Sequence, residues 1–125
     1  MTENLFSDNP ELDADYLEAA YGDDAETAIV VFEGYLQELP SNIELINESY
    51  KNRDIDRFRH FVHKQKPGFS YVGLTKLTNK LNEIESKVMV VDDLVVYKEE
   101  IEDALEKISS SAGTIEKTLT RLRGL

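Results

Sequence analysis

Residues 54–74 read DIDRFRHFVHKQKPGFSYVGL, and the spacing of their side chains predicts a helix with two contrasting faces. Asp54, at the end of the turn signal Asn52-Arg53-Asp54, is a typical N-cap residue. The apolar face contains one polar residue, Gln65, among Ile55, Phe58, Val62, Phe69 and Val72. The opposing face, at steps of four, three and four residues, carries Arg59, His63, Lys66 and Ser70. We therefore expect this helix to pack its first face on a core and to present His63 at the surface.

The chain before this helix also shows helical spacing, and strand-like alternation persists nowhere in the sequence. A short first helix is predicted over about residues 13–21. A second helix starts near Asp23 or Asp24, both good N-cap residues. It either kinks at Pro40 and runs to about Lys51, or it breaks at that proline.

Two further helices are predicted after Gly73. The first of them directs a stripe of aliphatic side chains to the core: Leu74, Leu77, Leu81, Ile84 and Val88. The last helix, capped by Asp92 or Asp93, follows a heptad seam of Ile101, Leu105, Ile108, Ala112, Ile115, Leu119 and Leu122. The small residues at 109–113 mark the place where this helix bends or stops. We interpret the seam as core packing, and a dimerisation zipper is the alternative.

These elements predict an all-α fold, namely an antiparallel four-helix bundle with a short additional N-terminal helix. A chain of 125 residues is long enough to bury a core of its own, so we expect residues 1–125 to form a single domain. Residues 1–12 precede the first helix, and we expect them to be a flexible N-terminal segment.

The composition excludes several classes of function. The chain contains no cysteine, which excludes disulfides, thiolate catalysis and cysteine-based zinc sites. Its first residues lack the basic and apolar regions of a signal peptide, and no apolar run approaches the roughly 20 residues that cross a bilayer. We therefore expect a cytoplasmic protein with no membrane partner.

Charge is distributed unevenly along the chain. The net charge of −11 disfavours nucleic-acid binding. Residues 51–80 nevertheless hold eight basic and two acidic side chains, a balance of +6, whereas the remainder holds six basic and 23 acidic ones, a balance of −17. A basic patch on an acidic protein favours an acidic or phosphorylated partner. Helices without such a partner also carry uneven charge, which is the alternative explanation.

His63 and two other side chains form a set that suits phosphoryl transfer. Histidine side chains titrate near pH ~6.5, so a neutral ring nitrogen is available to attack phosphorus in the cytosol. A carboxylate that accepts from Nδ1–H fixes the tautomer and leaves Nε2 as the nucleophile, and we assign this role to Glu85. Lys66 follows His63 by about 300° around the helix and ~4.5 Å along it, so its ammonium can reach a phosphoryl group on His63. We expect the Lys66 side chain to face solvent.

This stretch resembles the signature of histidine-containing phosphotransfer domains. That signature reads His-x-x-Lys-Gly, then a second Gly ten residues after the His, then Leu. The matching residues are His63, Lys66, Gly73 and Leu74, and Glu85, 22 residues after His63, matches the acidic or amide position that bonds the histidine. The resemblance covers nearly the whole chain, because the short lead helix, the long second helix and the acidic turn before the histidine helix also fit.

The resemblance implies a histidine phosphocarrier of a multistep two-component phosphorelay. His63 would exchange a phosphoryl group with receiver-domain aspartates of response regulators or hybrid histidine kinases. The carrier would hold no cofactor or metal, because Mg²⁺ and the acidic pocket belong to the receiver. We expect a monomer that is not an enzyme with its own turnover, since the sequence has no glycine-rich phosphate loop. The expected partner-binding residues surround the histidine: Arg59, Lys64, Pro67, Gly68, Ser70 and Gly73.

Two residues depart from the family pattern. Pro67 stands where the family has Gly after the Lys, and Gly68 comes one residue later. Proline has no N–H to donate to the carbonyl four residues back, which is that of His63, so we expect a local kink. The compact proline ring, together with Gly68, would maintain the smooth surface that glycine provides. Gln65 stands where the family usually has an apolar residue, away from the reactive face.

Three other interpretations remain open. A non-phosphorylated adaptor of the same fold that binds receiver domains is favoured by Pro67 and Gln65. A dimerising scaffold would use the last helix, and a phosphatase would act on receiver aspartate without keeping the phosphate. His60 lacks the partners that His63 has, so we interpret it as structural or exposed. A bundle metal site needs Glu-x-x-His pairs, which neither histidine has.

Overall fold

The computed structural model describes residues 4–7 and 9–125. Within these residues the fold is all-helical, with no strand, which confirms the predicted class. The elements in chain order are α1 (Ala14–Tyr21), α2 (Ala25–Lys51), α3 (Ile55–Tyr71), α4 (Thr75–Val88), a 3₁₀ turn (Leu94–Tyr97) and α5 (Lys98–Arg123). No described helix combines the length and the apolar character that a membrane span needs.

Aspartate caps start the first three helices at the predicted positions. Each capping carboxylate accepts a hydrogen bond from the backbone N–H three residues ahead. The pairs are Asp13 with Tyr16, Asp24 with Thr27, and Asp54 with Arg57. Such caps satisfy backbone donors that have no partner inside the helix, and each is worth about 0.5–2 kcal/mol. The acidic residues of the turns therefore set where the helices begin.

The two long helices continue through the positions at which a kink or break, or a bend or stop, was predicted. α2 is a single helix with Pro40 inside it, so of the two alternatives the break is wrong. α5 is continuous through residues 109–113, although it begins at Lys98 after the 3₁₀ turn that Asp93 caps. The heptad seam lies in the core, and small polar side chains of the same helix, Ser111 and Thr118, are buried with it.

Four long helices surround one core. α2 packs against α3 and α5, and α4 packs against α3 and α5. Their buried faces form a single hydrophobic cluster that includes the predicted stripes of α3 and α4. Short turns at residues 52–54 and 72–74 connect α2 to α3 and α3 to α4. The contact between α3 and α4 brings the histidine helix next to the helix of the predicted carboxylate.

The segment before α1 differs from the flexible segment expected for residues 1–12. Phe6 is fully buried and Leu12 is 5% exposed. The ring centroid of Phe6 lies 6.1 Å from those of both Tyr21 and Phe32, so the segment is anchored by aromatic packing. Sequence periodicity missed this anchor because it is a single side chain in a non-helical stretch. Residues 1–3 and 8 lie outside the described residues.

Gly73 shapes the turn between α3 and α4, and its partner-binding role stays a prediction. It is buried, and its φ of +82° lies in the left-handed region that favours glycine. A Cβ at this position would lie 2.6 Å from Leu17 Cδ1. The Gly73 carbonyl also accepts from the Asp13 N–H at 2.8 Å. This glycine therefore joins the turn to α1.

Candidate functional site

His63 lies on the exposed side of α3, at the contact with α4. Its side chain is 74% exposed, yet its Nδ1 lies 2.8 Å from Glu85 Oε1. The spacing of 22 residues therefore brings the two side chains together as predicted. A carboxylate oxygen accepts, so the hydrogen of this bond belongs to Nδ1. No described residue bonds to Nε2, which leaves that nitrogen open to a reaction partner.

Glu85 is held in its ionised form by the Lys66 ammonium and by its hydrogen bond to His63. Partial burial raises the pKa of Glu85, but the hydrogen bonds and charges of Lys66 and His63 outweigh it, so the net pKa lies below the ordinary value of 4.5. One carboxylate oxygen, Oε1, bonds His63, and the other, Oε2, contacts the Lys66 ammonium. The carboxylate therefore links the histidine to the lysine.

Lys66 does not face solvent as expected, because its side chain is only 18% exposed. Its ammonium contacts Glu85 and donates to Asn82 Oδ1 at 2.7 Å. The helical position was predicted correctly, but α4 lies close enough to receive the side chain. Two of the three N–H groups are thus engaged, and the third remains available for an oxygen near His63.

Asn82 is a site residue that the sequence prediction missed. It precedes Glu85 by three residues on α4, so the two side chains share a helix face. The spacing from Glu85 places Asn82 on the helix face toward α3, but it does not give the distance to Lys66. Asn82 itself is exposed, and its amide oxygen accepts from Lys66 at the edge of the site.

The predicted partner-binding residues differ in their exposure and in their position relative to His63. Lys64 and Pro67 are exposed beside His63, and Ser70 is half-buried on the same face. Arg59 is half-buried, and its Nε is enclosed without an acceptor among the described residues. Gly68 lines a groove between α3 and α2, away from the histidine. Lys64, Pro67 and Ser70 therefore form a mixed basic and uncharged surface beside the imidazole.

The basic window at residues 51–80 is partly neutralised within the chain. Arg53 pairs with Asp93 at 3.4 Å, and Lys80 lies 3.4 Å from Glu100 on α5. The Lys80 side chain therefore points to the far side of α4 from Glu85. Beside the histidine, Lys64 is exposed and Lys66 is paired with Glu85.

α3 continues through Pro67, the residue four positions after His63. Proline has no N–H, so the His63 carbonyl lacks its usual helical donor. The other histidine, His60, is exposed, and its ring lies 5.3 Å from that of Phe61 without a carboxylate partner among the described residues. No cluster of three metal-ligating side chains occurs in the described part of the chain.

Comparisons with protein-family models, curated proteins and solved structures give no match for this chain. Its chemistry is therefore inferred from the arrangement of His63, Glu85, Lys66 and Asn82. An exposed imidazole nitrogen is available for attack, a carboxylate orients the ring, and an ammonium lies within the same cluster. This combination can form a bond to phosphorus and stabilise the charge that arrives with it.

Proposed function

We propose that the protein is a histidine phosphocarrier of a multistep two-component phosphorelay. His63 exchanges a phosphoryl group with receiver-domain aspartates of response regulators or hybrid histidine kinases. The observation that carries this proposal is the 2.8 Å bond between Nδ1 and Glu85 on a ring whose side chain is 74% exposed. A buried or unoriented histidine would not meet a second protein in the required tautomer.

The transfer step follows from the roles of the three side chains. His63 Nε2 attacks the phosphorus of the aspartyl phosphate, a P–N bond forms, and the P–O bond breaks with the aspartate leaving as a carboxylate. The ring then carries a positive charge, which the Glu85 carboxylate stabilises through Nδ1–H. The free N–H of Lys66 donates to a phosphoryl oxygen. The same steps in reverse pass the group to another receiver.

The proposed function is accompanied by proposals about the helix arrangement, the oligomeric state and the cofactors of the chain. We infer an antiparallel four-helix bundle, since the short turns at residues 52–54 and 72–74 favour antiparallel neighbours. The carrier is proposed to be a cytoplasmic monomer without a cofactor, a membrane or nucleic-acid partner, or turnover of its own. Mg²⁺ is required only by the receiver, whose aspartate it serves.

The direct test is a transfer assay with a phosphorylated receiver. The wild-type protein is expected to acquire an acid-labile label, and His63→Gln is expected to acquire none while its circular dichroism stays unchanged. His60→Gln is the matched control, because this histidine lies one turn away without a carboxylate, and it is expected to keep the label. Labelling of His63→Gln at the wild-type level would refute the assigned site.

A second candidate function is a non-phosphorylated adaptor that binds receiver domains. Pro67 favours it, because a proline inside α3 removes a backbone bond at the histidine itself. An adaptor would bind the receiver without acquiring a label. A phosphatase would instead remove the receiver phosphate with nothing retained on His63. A dimerising scaffold would show twice the chain mass in solution.

A further inference from the structure

Two glycines inside neighbouring helices, Gly34 on α2 and Gly68 in the last turn of α3, line one groove. A Cβ at either position would meet no atom within 4 Å, and neither residue has a positive φ. Glycine is therefore required at these positions neither by close packing nor by backbone conformation. Each glycine nevertheless destabilises a helix by about 1 kcal/mol relative to alanine. The absent side chains leave an opening between the helices at Gly34 and Gly68, which we call the glycine notch.

The glycine notch has the size of a side-chain pocket. Its volume is about 210 Å³, below the range of about 300–1,000 Å³ that is typical of small-molecule pockets. Two of its lining residues are large apolar side chains that stay open to solvent, Val30 at 70% and Tyr71 at 54% exposed. Apolar groups exposed around a small concave site are typical of protein contacts. The notch therefore fits one long side chain of a macromolecule better than a free ligand.

The polar lining of the notch includes two acceptor-bearing side chains, Glu38 and Gln65, and the side-chain amide of Asn42. Gln65, only 7% exposed, lines it and donates from Nε2 to the Asn42 carbonyl at 3.1 Å. This bond fixes the amide orientation, and no described residue donates to Gln65 Oε1. An unpaired buried acceptor costs about 1–3 kcal/mol. The exposed carboxylate of Glu38 also lines the notch. A cationic donor complements this carboxylate, which is open to solvent, whereas Gln65 Oε1 is enclosed.

We propose that the glycine notch receives a lysine or arginine side chain of the protein that docks at His63. Such a side chain has an apolar stem to pass Val30 and Tyr71 and a cationic tip for the Glu38 carboxylate. Gly68 follows His63 by about 140° around α3 and ~7.5 Å along it, so one folded domain can cover both positions. The proposal rests on the proposed function and adds a specificity contact to it.

The test compares two routes of labelling. Phosphoramidate, a small phosphoryl donor, needs no docking surface, whereas a phosphorylated receiver does. Gly34→Leu fills the notch and Glu38→Lys reverses its charge. Both are expected to lower transfer from the receiver at limiting concentration by about tenfold, with phosphoramidate labelling unchanged. The matched controls on other faces of α2, Gln37→Leu and Glu44→Lys, are expected to transfer at the wild-type rate.

Each outcome decides between the two proposals. Wild-type receiver transfer in both Gly34→Leu and Glu38→Lys would overturn the notch contact and leave the phosphocarrier function intact. A wild-type protein that takes no label from either donor would overturn the phosphocarrier function itself. Equal losses in the notch variants and in their controls would also overturn the notch contact, because the effect would then belong to α2 as a whole.

Discussion

Lys66 donates a hydrogen bond to Asn82, with 2.7 Å between Nζ and Oδ1, and so connects α3 to α4 beside His63. The same ammonium contacts Glu85, which leaves one N–H for the phosphoryl oxygen that the proposed function requires. Under that proposal the lysine is already positioned before the phosphoryl group binds. Prior positioning of a cation lowers the reorganisation that the transfer step requires.

Asn82→Ala is expected to slow transfer from a phosphorylated receiver by about 3- to 10-fold. The loss is smaller than that expected for a fully buried hydrogen bond to a charged group, because Asn82 is exposed. Asn82→Asp is expected to slow it further, since a second carboxylate competes for the ammonium. Single-turnover kinetics measure both variants against Asn79→Ala, an exposed position one turn earlier on α4. An unchanged rate for Asn82→Ala would exclude a positioning role for this residue.

The helix starts and the central pair could be predicted from the sequence because both depend on local spacing. Aspartates at 13, 24 and 54 cap helices wherever a helical pattern follows, and no distant residue is needed for that. His63 and Glu85 face each other because α3 and α4 are joined by a tight turn. A short turn fixes how the residues on two helices align.

Other features depend on distances between helices, which periodicity does not supply. A helical wheel gives the direction of Lys66 around α3 but not the approach of α4, so the contact with Asn82 was missed. Gly73 matched a family pattern, yet its burial depends on Leu17 in α1. Phe6 is buried by aromatic packing on α1 and α2, and no hydrophobic periodicity in its own segment predicts this burial.

The Glu85 carboxylate is expected to make stability depend on pH. Its pKa in the folded protein lies below the ordinary value of 4.5, so its contribution is fully present above that pH and is lost as the pH falls through the lowered pKa. Urea unfolding at a series of pH values measures the effect. The stability advantage of the wild type over Glu85→Gln is expected to shrink on acidification.

Other carboxylates also titrate in this range, so the difference between variants is the informative quantity. Glu106→Gln, an exposed position on α5 without an ion pair among the described residues, is the control and is expected to follow the wild type. A difference between wild type and Glu85→Gln that stays constant down to pH ~3 would contradict the electrostatic link of Glu85 to Lys66 and His63.

Gly73→Ala is expected to lower the free energy of unfolding by about 2–4 kcal/mol, the sum of a left-handed backbone penalty and overpacking. Its φ is +82°, and the added Cβ would lie 2.6 Å from Leu17 Cδ1. Gly113→Ala is expected to have the opposite effect on the free energy of unfolding, because that glycine lies exposed inside α5 with no atom within 4 Å of an added Cβ.

Urea unfolding of the two variants distinguishes the roles of these glycines. Gly113→Ala is expected to gain about 0.5–1 kcal/mol from helix propensity alone. A loss in Gly73→Ala no larger than the experimental scatter would show that the turn between α3 and α4 relaxes freely. In that case glycine at this position would need an explanation other than the contact with Leu17.

Pro67→Ala is expected to raise the free energy of unfolding by about 1–3 kcal/mol, because alanine supplies the N–H that the His63 carbonyl lacks and removes the ring from inside α3. Hydrogen exchange provides a second measurement, since the new amide at position 67 is expected to be protected. Pro40→Ala, an exposed position inside α2, is the matched control and is expected to gain a similar amount. If Pro67→Ala gains no stability and its new amide exchanges freely, α3 is distorted at this point by its packing rather than by the proline.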